Sequence, residues 1–363
     1  MIRVLHVVHT MECGGIETIL MNIYRNINRE IIQFDFVVNG PRENYYTEEI
    51  LSLGGNVFNV TPKRISLKRN LEETIAVMKQ GKYKVVHIHQ DSMIAFAIWC
   101  AKKAKIKTIF AHAHTTSANG WYRKILAIVA RKYIVNNVNE KFACSQAAAK
   151  WIYGSKKNDY ILFKNAIDAE KFRYSHEQYI NNRLKYGLEK EQFVFGTCGR
   201  FSVEKNQIFL IDILKEIKKT YKNAKLILIG DGEEKQNIIS RAKENGLLDD
   251  VIFTGMVNNT EFYYSILDCF ILPSFYEGLP LAGVEAQAAG IPSFFSMGIT
   301  KELKIIDTAF FIELEKGATK WAEEIIKNIT EKKDTYGEIR KSGYDIRENA
   351  KMLQDKYIEY SIK

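Results

Sequence analysis

The chain is expected to fold as α/β, with two doubly wound Rossmann-like domains, and three observations predict this. Short apolar runs alternate with helical patterns from one end to the other. The runs are continuous in Val, Ile and Phe rather than alternating with polar residues, which marks parallel strands buried on both faces. At 363 residues the chain exceeds what one typical core organises.

In the first half the runs fall at 2–9, 34–38, 57–60, 85–89, 108–112, 141–145 and 160–163. In the second half they fall at 193–198, 225–229, 251–254, 269–272, 293–295 and 309–312. Strand–helix alternation of this kind builds parallel sheets. The stretch 168–190 is polar and has no strand character, so the domains are expected at 1–170 and 171–343, with a last helix in 344–363 crossing back to the first. Ligands of such sheets bind beyond the carboxyl ends of the strands, here in a central cleft that the two domains face.

Composition narrows the class. The chain is 46% hydrophobic and 26% charged, with five prolines and no low-complexity tract, as expected of a globular protein. Its five cysteines (Cys13, Cys100, Cys144, Cys198, Cys269) form no C-x-x-C pair, which argues against a zinc ribbon or disulfide framework and for the cytoplasm. The N-terminus does not read as a signal peptide, and no run of 18 apolar residues is present. The net charge of +9 is lopsided: residues 1–170 hold 24 Lys and Arg against 14 Asp and Glu, and the remainder 28 against 29. A basic half suits nucleic acid, anionic lipid or an anionic substrate. No basic-aromatic module supports nucleic acid as a partner. Residues 120–133 combine aromatic, basic and apolar side chains. They fit either a core-packed helix or a contact with the anionic inner face of the plasma membrane.

The most informative segment is 277–292. Glu277 and Glu285 stand eight positions apart, at the mouth of a helix and one to two turns into it. Gly278 admits close backbone approach, and Pro280 suits the first turn; Leu279 and Leu281 are apolar. The helix N-terminus favours an anion while the carboxylates accept from hydroxyls, which together describe a pocket for a phosphorylated sugar. Two glutamates on one helix are more often a solvated face, but these stand in apolar surroundings.

Other motifs sit at strand ends. Gly14 and Gly15 follow the first strand without completing G-x-G-x-x-G, so no dinucleotide fingerprint is present. Gly199, Arg200, Lys205 and Asn206 follow the first strand of the second half, where Arg and Lys can share one diphosphate. Gly230 and Asp231 read as a turn lining the cleft, and Thr254 and Gly255 as a strand end near a nucleotide base. His87 with His89, and His112 with His114, point to one side of their strands. A metal is not expected there, because no carboxylate or Cys completes a ligand set. His114 leads into Thr115-Thr116-Ser117 and suits hydrogen bonding to sugar.

These residues resemble, in order and over essentially the whole chain, the nucleotide-sugar glycosyltransferases of family four, the retaining group with the GT-B fold. The subgroup that looks nearest is that of bacterial exopolysaccharide and capsule enzymes. The resemblance rests on Gly14 to Glu17, His114, Lys164 to Phe172, Gly199-Arg200 with Glu204-Lys205-Asn206, Gly230 to Gly232, Phe253 to Gly255 and Glu277 to Glu285. It implies a metal-independent enzyme without a cofactor, whose nucleotide-sugar donor (a UDP-sugar) is a substrate and whose acceptor is a glycan or lipid-linked. By that resemblance Arg200 and Lys205 hold the diphosphate, Glu277 the donor sugar, Glu285 the ribose and Gly15 a phosphate. His114 touches the sugar or relays to the acceptor. The sequence departs from the family pattern at Ala166, at Ser293-Phe294-Phe295 and in Ser296-Met297-Gly298, positions that bear on the sugar rather than the reaction. A nucleotide-sugar epimerase of similar shape and a non-catalytic sugar-nucleotide binding protein are the alternatives.

Overall fold

A computed structural model describes residues 1–12, 14–40, 44–90, 93–114, 121–154, 159–189 and 191–362, and for 121–127 the helical backbone alone. The chain forms two compact units, Met1–Ala166 with Ile346–Lys363, and Ile167–Asp345. The divisions fall a few residues from positions 170 and 343. The two crossing segments run side by side: Ile167 bridges Asp345, and its amide donates to the Tyr344 carbonyl at 3.0 Å.

Unit 1 runs β1 (Ile2–Val7), α1 (Gly15–Asn26), β2 (Ile32–Asn39), α2 (Thr47–Ser52), β3 (Asn56–Val60), α3 (Leu67–Gln80), β4 (Val85–Ile88), α4 (Ile94–Lys103), β5 (Thr108–Ala113), α5 (Trp121–Asn137), β6 (Glu140–Ala143), α6 (Gln146–Tyr153) and β7 (Ile161–Leu162). Its sheet has the order β3-β2-β1-β4-β5-β6-β7, parallel throughout.

Unit 2 continues with α7 (His176–Tyr186), β8 (Val194–Cys198), α8 (Ile208–Ile217), β9 (Lys225–Ile229), α9 (Lys235–Glu244), β10 (Val251–Gly255), α10 (Thr260–Ile266), β11 (Cys269–Leu272), α11 (Leu281–Ala288), β12 (Ser293–Ser296), β13 (Ala309–Ile312), α12 (Gly317–Asn328) and α13 (Tyr336–Lys341). Its sheet, also parallel, has the order β10-β9-β8-β11-β12-β13. Each apolar run of the sequence is one of these thirteen strands.

Strand periodicity explains why the runs are continuous. On β9, Leu226 and Leu228 pack with Phe195, Ile271 and Phe294. Ile227 and Ile229 point the other way, among Val194, Phe270 and Leu272. Both faces are core, so the four buried positions Leu226 to Ile229 are all apolar. Helix starts are set locally: Ser66, Ser145 and Ser175 accept from the backbone amides of Arg69, Ala148 and Gln178, satisfying donors that the first turn leaves open. No described helix is long and apolar enough to cross a membrane.

The last helix, α14 (Ile346–Ile362), belongs to unit 1. It packs on α1, β1 and β4. Buried Tyr357 meets His87 Nδ1 at 2.7 Å through its hydroxyl, and the Tyr360 hydroxyl donates to Glu140 at 2.6 Å.

One buried carboxylate joins several parts of unit 1. Asp35 accepts from Arg3 at 2.8 and 2.7 Å, from the Tyr83 hydroxyl at 2.8 Å, and from Asn56 at 2.8 and 2.9 Å. Burial alone would raise its pKa; these donors, Arg3 first, outweigh it and hold the carboxyl below its ordinary value. Removing one partner of such an arrangement leaves the others buried and unmet. Asp35→Ala is expected to cost about 3–5 kcal/mol in urea unfolding; a loss below about 1 kcal/mol would show that Asp35 does not tie these strands together.

Candidate active site

In unit 2 the strand order reverses between β8 and β11, the point at which ligands of open α/β sheets bind. The loop after β8 and the loop after β11 meet there. Lys205 Nζ donates to Glu277 Oε2 at 2.5 Å, and Ser274 Oγ donates to Glu277 Oε1. The two side chains remain 26% and 11% exposed. The backbones are tied as well: the Phe275 amide donates to the Glu204 carbonyl at 2.8 Å, and the Asn206 side-chain amide to the Pro273 carbonyl at 3.2 Å. Asn206 takes φ +55° to end the turn Val203–Lys205, a left-handed conformation that Asn tolerates better than most residues. Glu277 is fixed from the other side by its amide on the Gly298 carbonyl at 3.2 Å.

Glycines let three strand-end loops stack. A Cβ on Gly230 (φ +129°) would stand 2.2 Å from the Gly199 carbonyl oxygen, and one on Gly232 2.2 Å from that of Phe201. The Phe201 amide donates to the Asp231 carbonyl at 2.9 Å, and the Gly230 amide to the Gly255 carbonyl at 3.1 Å. Gly230-Asp231-Gly232 therefore supports the 199–201 loop from beneath. The Asp231 carboxylate pairs with Lys235 at 2.7 Å, and the Thr254 hydroxyl donates to the Gly255 carbonyl at 2.8 Å.

Arg200 departs from the expected clamp. Its exposed guanidinium pairs with Glu233 at 3.0 Å, whereas Lys205 has turned to Glu277. A pair this exposed is worth little, so a competing anion can take the arginine.

Pro280 also differs from expectation, standing at the cap of α11 (φ −72°, ψ 119°) instead of inside its first turn. Gly278 is exposed and meets nothing where a Cβ would stand; Leu279 is half-buried and Leu281 begins the helix. Glu285 lies in the second turn and accepts from the Tyr264 hydroxyl at 2.9 Å. Burial pushes its carboxyl up to about 7, opposed by that hydrogen bond. Neighbouring Cys198, at the end of β8, feels both Glu285 and Lys205, and burial pushes its thiol up to about 12.

In unit 1, Gly14 caps α1 and Gly15 opens it, with free space around Gly15. His114 follows β5, its Nε2 2.9 Å from His89 Nδ1, and burial pushes its pKa down to about 3. Among the described residues no carboxylate or Cys joins the histidine pairs, but a further histidine does. His6 of β1 lies level with His87 in the sheet, and His6, His87 and His89, like His89, His112 and His114, bring ring nitrogens within 4.8 Å of one another. Thr115-Thr116-Ser117 and Gly120 lie outside the described residues, as do the side chains of 121–127. Further along α5, Ile128, Val129 and Tyr133 are exposed.

Ser274, Tyr264 and His6 escaped the reading of the sequence. Ser274 had a signal, a hydroxyl three residues before Glu277 at a strand end. His6 had one too, on the first strand. Tyr264 had none, since α10 meets α11 only in the fold.

Comparisons with known proteins bear on the family and the fold. "Glycosyltransferase Family 4" matches residues 13–171, and "Glycosyl transferases group 1" matches 179–346. The chain is a member of this glycosyltransferase family, and its fold is the two-Rossmann GT-B architecture. It is 30% identical over 370 residues to EpsF of Bacillus subtilis, a protein carried under a glycosyltransferase name, covering 98% of this chain and 96% of EpsF. It is 27% identical over 344 residues to the capsular polysaccharide biosynthesis glycosyltransferase CapH of Staphylococcus aureus, covering 92% of each. Among solved structures it is similar in fold to Anabaena HepE in complex with UDP, with TM-score 0.74, 17% identity and coverage of 100% of this chain and 98% of HepE.

The loop stacking sets a contrast between two glycines. Gly230→Ala is expected to lower stability by about 2–4 kcal/mol, from positive φ plus backbone overlap. Gly278→Ala is expected to stay within about 0.5 kcal/mol of the parent. Calorimetry on both variants checks this; equal melting temperatures would contradict the stacking.

Proposed function

We propose that this glycosyltransferase moves a sugar from a nucleotide-sugar donor, a UDP-sugar, to a glycan or lipid-linked acceptor in the synthesis of a bacterial surface polysaccharide, with retention at the anomeric carbon and without a metal. The observation that carries the reading is Lys205 paired with Glu277 at the switch point of unit 2. It is supported by the UDP in the HepE structure and by the names of CapH and of an Escherichia coli galactosyltransferase acting on a diphosphoundecaprenol-linked sugar, 21% identical over 310 residues.

In this reading Lys205 and Arg200 neutralise the charge that develops on the departing diphosphate. Fixed cations serve this better than water because they need not reorganise. Glu277, aimed by Lys205 and Ser274, accepts from the donor sugar's hydroxyls, and Glu285 from the ribose hydroxyls. His114 hydrogen-bonds a substrate oxygen. The acceptor oxygen attacks the face that the phosphate leaves: the bond from C1 to the phosphate oxygen breaks, the bond to the acceptor oxygen forms, and the acceptor's proton passes to the phosphate. The exposed apolar and aromatic residues on α5, within a basic half, suit an anionic lipid surface presenting the acceptor.

Lys205→Ala is expected to lower kcat by about 10²–10³ with the fold intact, and Glu277→Gln to lose most turnover. Mass and NMR analysis of products from UDP-sugars with lipid-linked acceptors checks bond formation and anomeric configuration. Isomerised donor without a new glycosidic bond would favour the epimerase; binding without turnover would favour the non-catalytic protein; an inverted product would refute retention. On anionic vesicles the rate should fall as salt rises, and a salt-independent rate would remove the lipid surface from the reading.

Glu285 gives a pH signature. Its folded pKa, about 7, lies above its ordinary value. Its contribution to stability is therefore complete below the unfolded value and lost as pH rises through 7. Binding of ribose hydroxyls favours the charged form, so nucleotide affinity should rise over the same range. Titration calorimetry and thermal melts between pH 5.5 and about 8.5 should show these opposite slopes. Glu285→Gln should flatten both, and unchanged slopes in that variant would discard the assignment.

A further inference from the structure

The sheet of unit 1 has its own switch point. Its strand order reverses between β1 and β4, and the crevice beyond such a reversal is where open α/β sheets hold ligands. Gln90 closes this point. It is buried, and its Nε2 donates to the Val8 carbonyl at 3.0 Å, which joins the residues that follow the two strands. Asn39, at the end of β2, donates to the same carbonyl at 3.1 Å and accepts from Asn70 at 2.6 Å. Asn70 also donates to the Thr61 carbonyl, just past β3, at 2.7 Å. Four strand ends are thus fixed by one run of side-chain amides.

A lysine is fastened to this run. The Lys63 ammonium donates to Gln90 Oε1 at 2.6 Å. A carbonyl only accepts and an ammonium only donates, so the Gln90 amide has one orientation, with Nε2 on Val8 and Oε1 on Lys63. Lys63 therefore reaches from the loop after β3 to the loop after β4, two strands with β2 and β1 between them in the sheet. It is half-buried, and among the described residues no carboxylate lies within ion-pair distance of it. Lys205, Lys218, Lys225 and Lys356, half-buried as well, each meet one. Burial accordingly pushes the Lys63 ammonium down to about 8. Charges withdrawn from water are ordinarily paired. Here a neutral amide holds the charge, and two of its three N–H groups find no partner among the described residues. The two switch points differ in this respect: Lys205 is answered by a glutamate, and Lys63 by a glutamine.

We infer that Lys63, held by Gln90, is a recognition residue for the acceptor, and that it binds a phosphate oxygen of the diphosphate joining the acceptor's sugar to its lipid. The inference rests on the lipid-linked acceptor proposed above. In that reading Arg200 and Lys205 neutralise the diphosphate of the donor, which leaves the acceptor's diphosphate in need of a cation of its own. A lysine suits it, being a compact charge that binds phosphate without the fork geometry of arginine. The neutral partner is part of the device. A glutamate at position 90 would satisfy Lys63 permanently, whereas the glutamine fixes the ammonium in place and leaves its charge to the ligand.

The experiment is titration calorimetry on the full chain near neutral pH, with UDP saturating so that the donor's diphosphate site is filled. Farnesyl diphosphate is the probe, and farnesol its uncharged control. The parent should bind the diphosphate and discriminate against the alcohol. Lys63→Met should weaken farnesyl diphosphate about 10–100-fold, the value of one charge-assisted hydrogen bond, and leave farnesol unchanged; Lys63→Arg should keep most of the affinity. Gln90→Glu, which gives Lys63 a counter-charge while Asn39 still serves the Val8 carbonyl, should weaken the diphosphate about tenfold or more, and it tests the inference even if Lys63→Met does not fold. Equal affinity in the parent and both Lys63→Met and Gln90→Glu overturns the inference, as does a parent that binds farnesol as well as its diphosphate. Displacement of UDP by farnesyl diphosphate would place the anion at the donor site and overturn it too. Inorganic pyrophosphate binding as tightly as farnesyl diphosphate would identify a site for free anions and remove the lipid-linked assignment. The two readings fail separately. Transfer to a neutral glycan at a rate that Lys63→Met leaves unchanged would keep the transferase and sink the inference. Lys63-dependent binding without transfer from any UDP-sugar would sink the transferase and keep the diphosphate site.

Discussion

In unit 2, two loops leave neighbouring strand ends in opposite directions and meet again through Lys205 and Glu277. The geometry of the candidate site depends on that meeting. The lysine is presented by a single turn, closed by Asn206 in the left-handed region. The carboxylate is presented by a loop pinned to the Gly298 carbonyl. Neither support suffices alone, because a lysine side chain has many rotamers and a loop carboxylate has few contacts. Joined, each limits the other, and Ser274 occupies the oxygen that Lys205 leaves. The glycines beneath are part of the same constraint: with side chains at 230 and 232 the 199–201 loop could not settle where it does. A substrate that enters such a site meets charges already in place, which is the condition under which electrostatics lowers a barrier.

The fold was legible in the sequence because parallel strands covered on both faces leave a plain record. All thirteen apolar runs are strands, and the reason is visible on β9, where successive residues enter opposite cores. Glycines, lysine and glutamates at strand ends were legible for a related reason: loops at the carboxyl edge are where a doubly wound sheet exposes function. Side-chain partnerships were not legible. Glu233 pairing with Arg200, Tyr264 bonding Glu285, and His6 aligning with His87 all depend on register and helix contact, and spacing along one strand carries no information about its neighbour. Pro280 shows a smaller version of the same limit. Its ring suits the first turn and the cap alike, and the chain placed it at the cap.

Histidine on a buried sheet face is costly in itself, since each ring must remain neutral and several nitrogens find no partner among the described residues. Aromatic packing offsets part of this. His6 lies 4.2 Å from Phe34, and Tyr357 sets its edge against His6 and its hydroxyl on His87. The face is thus half aromatic and half imidazole, continuous from the middle of β1 to the end of β5.

Tyr357 comes from α14, made after every element of unit 2, yet it packs on a sheet whose strands all lie within residues 2–162. During synthesis that sheet has Tyr24 of α1 on Phe34 and Phe36, but lacks Tyr357 on its histidines until the whole of unit 2 has been translated. A nascent chain halted before Tyr357 carries an unfinished first unit, however complete its strands. The order of translation and the order of structural completion are therefore opposed here, because unit 1 receives one of its helices only after unit 2 has been made.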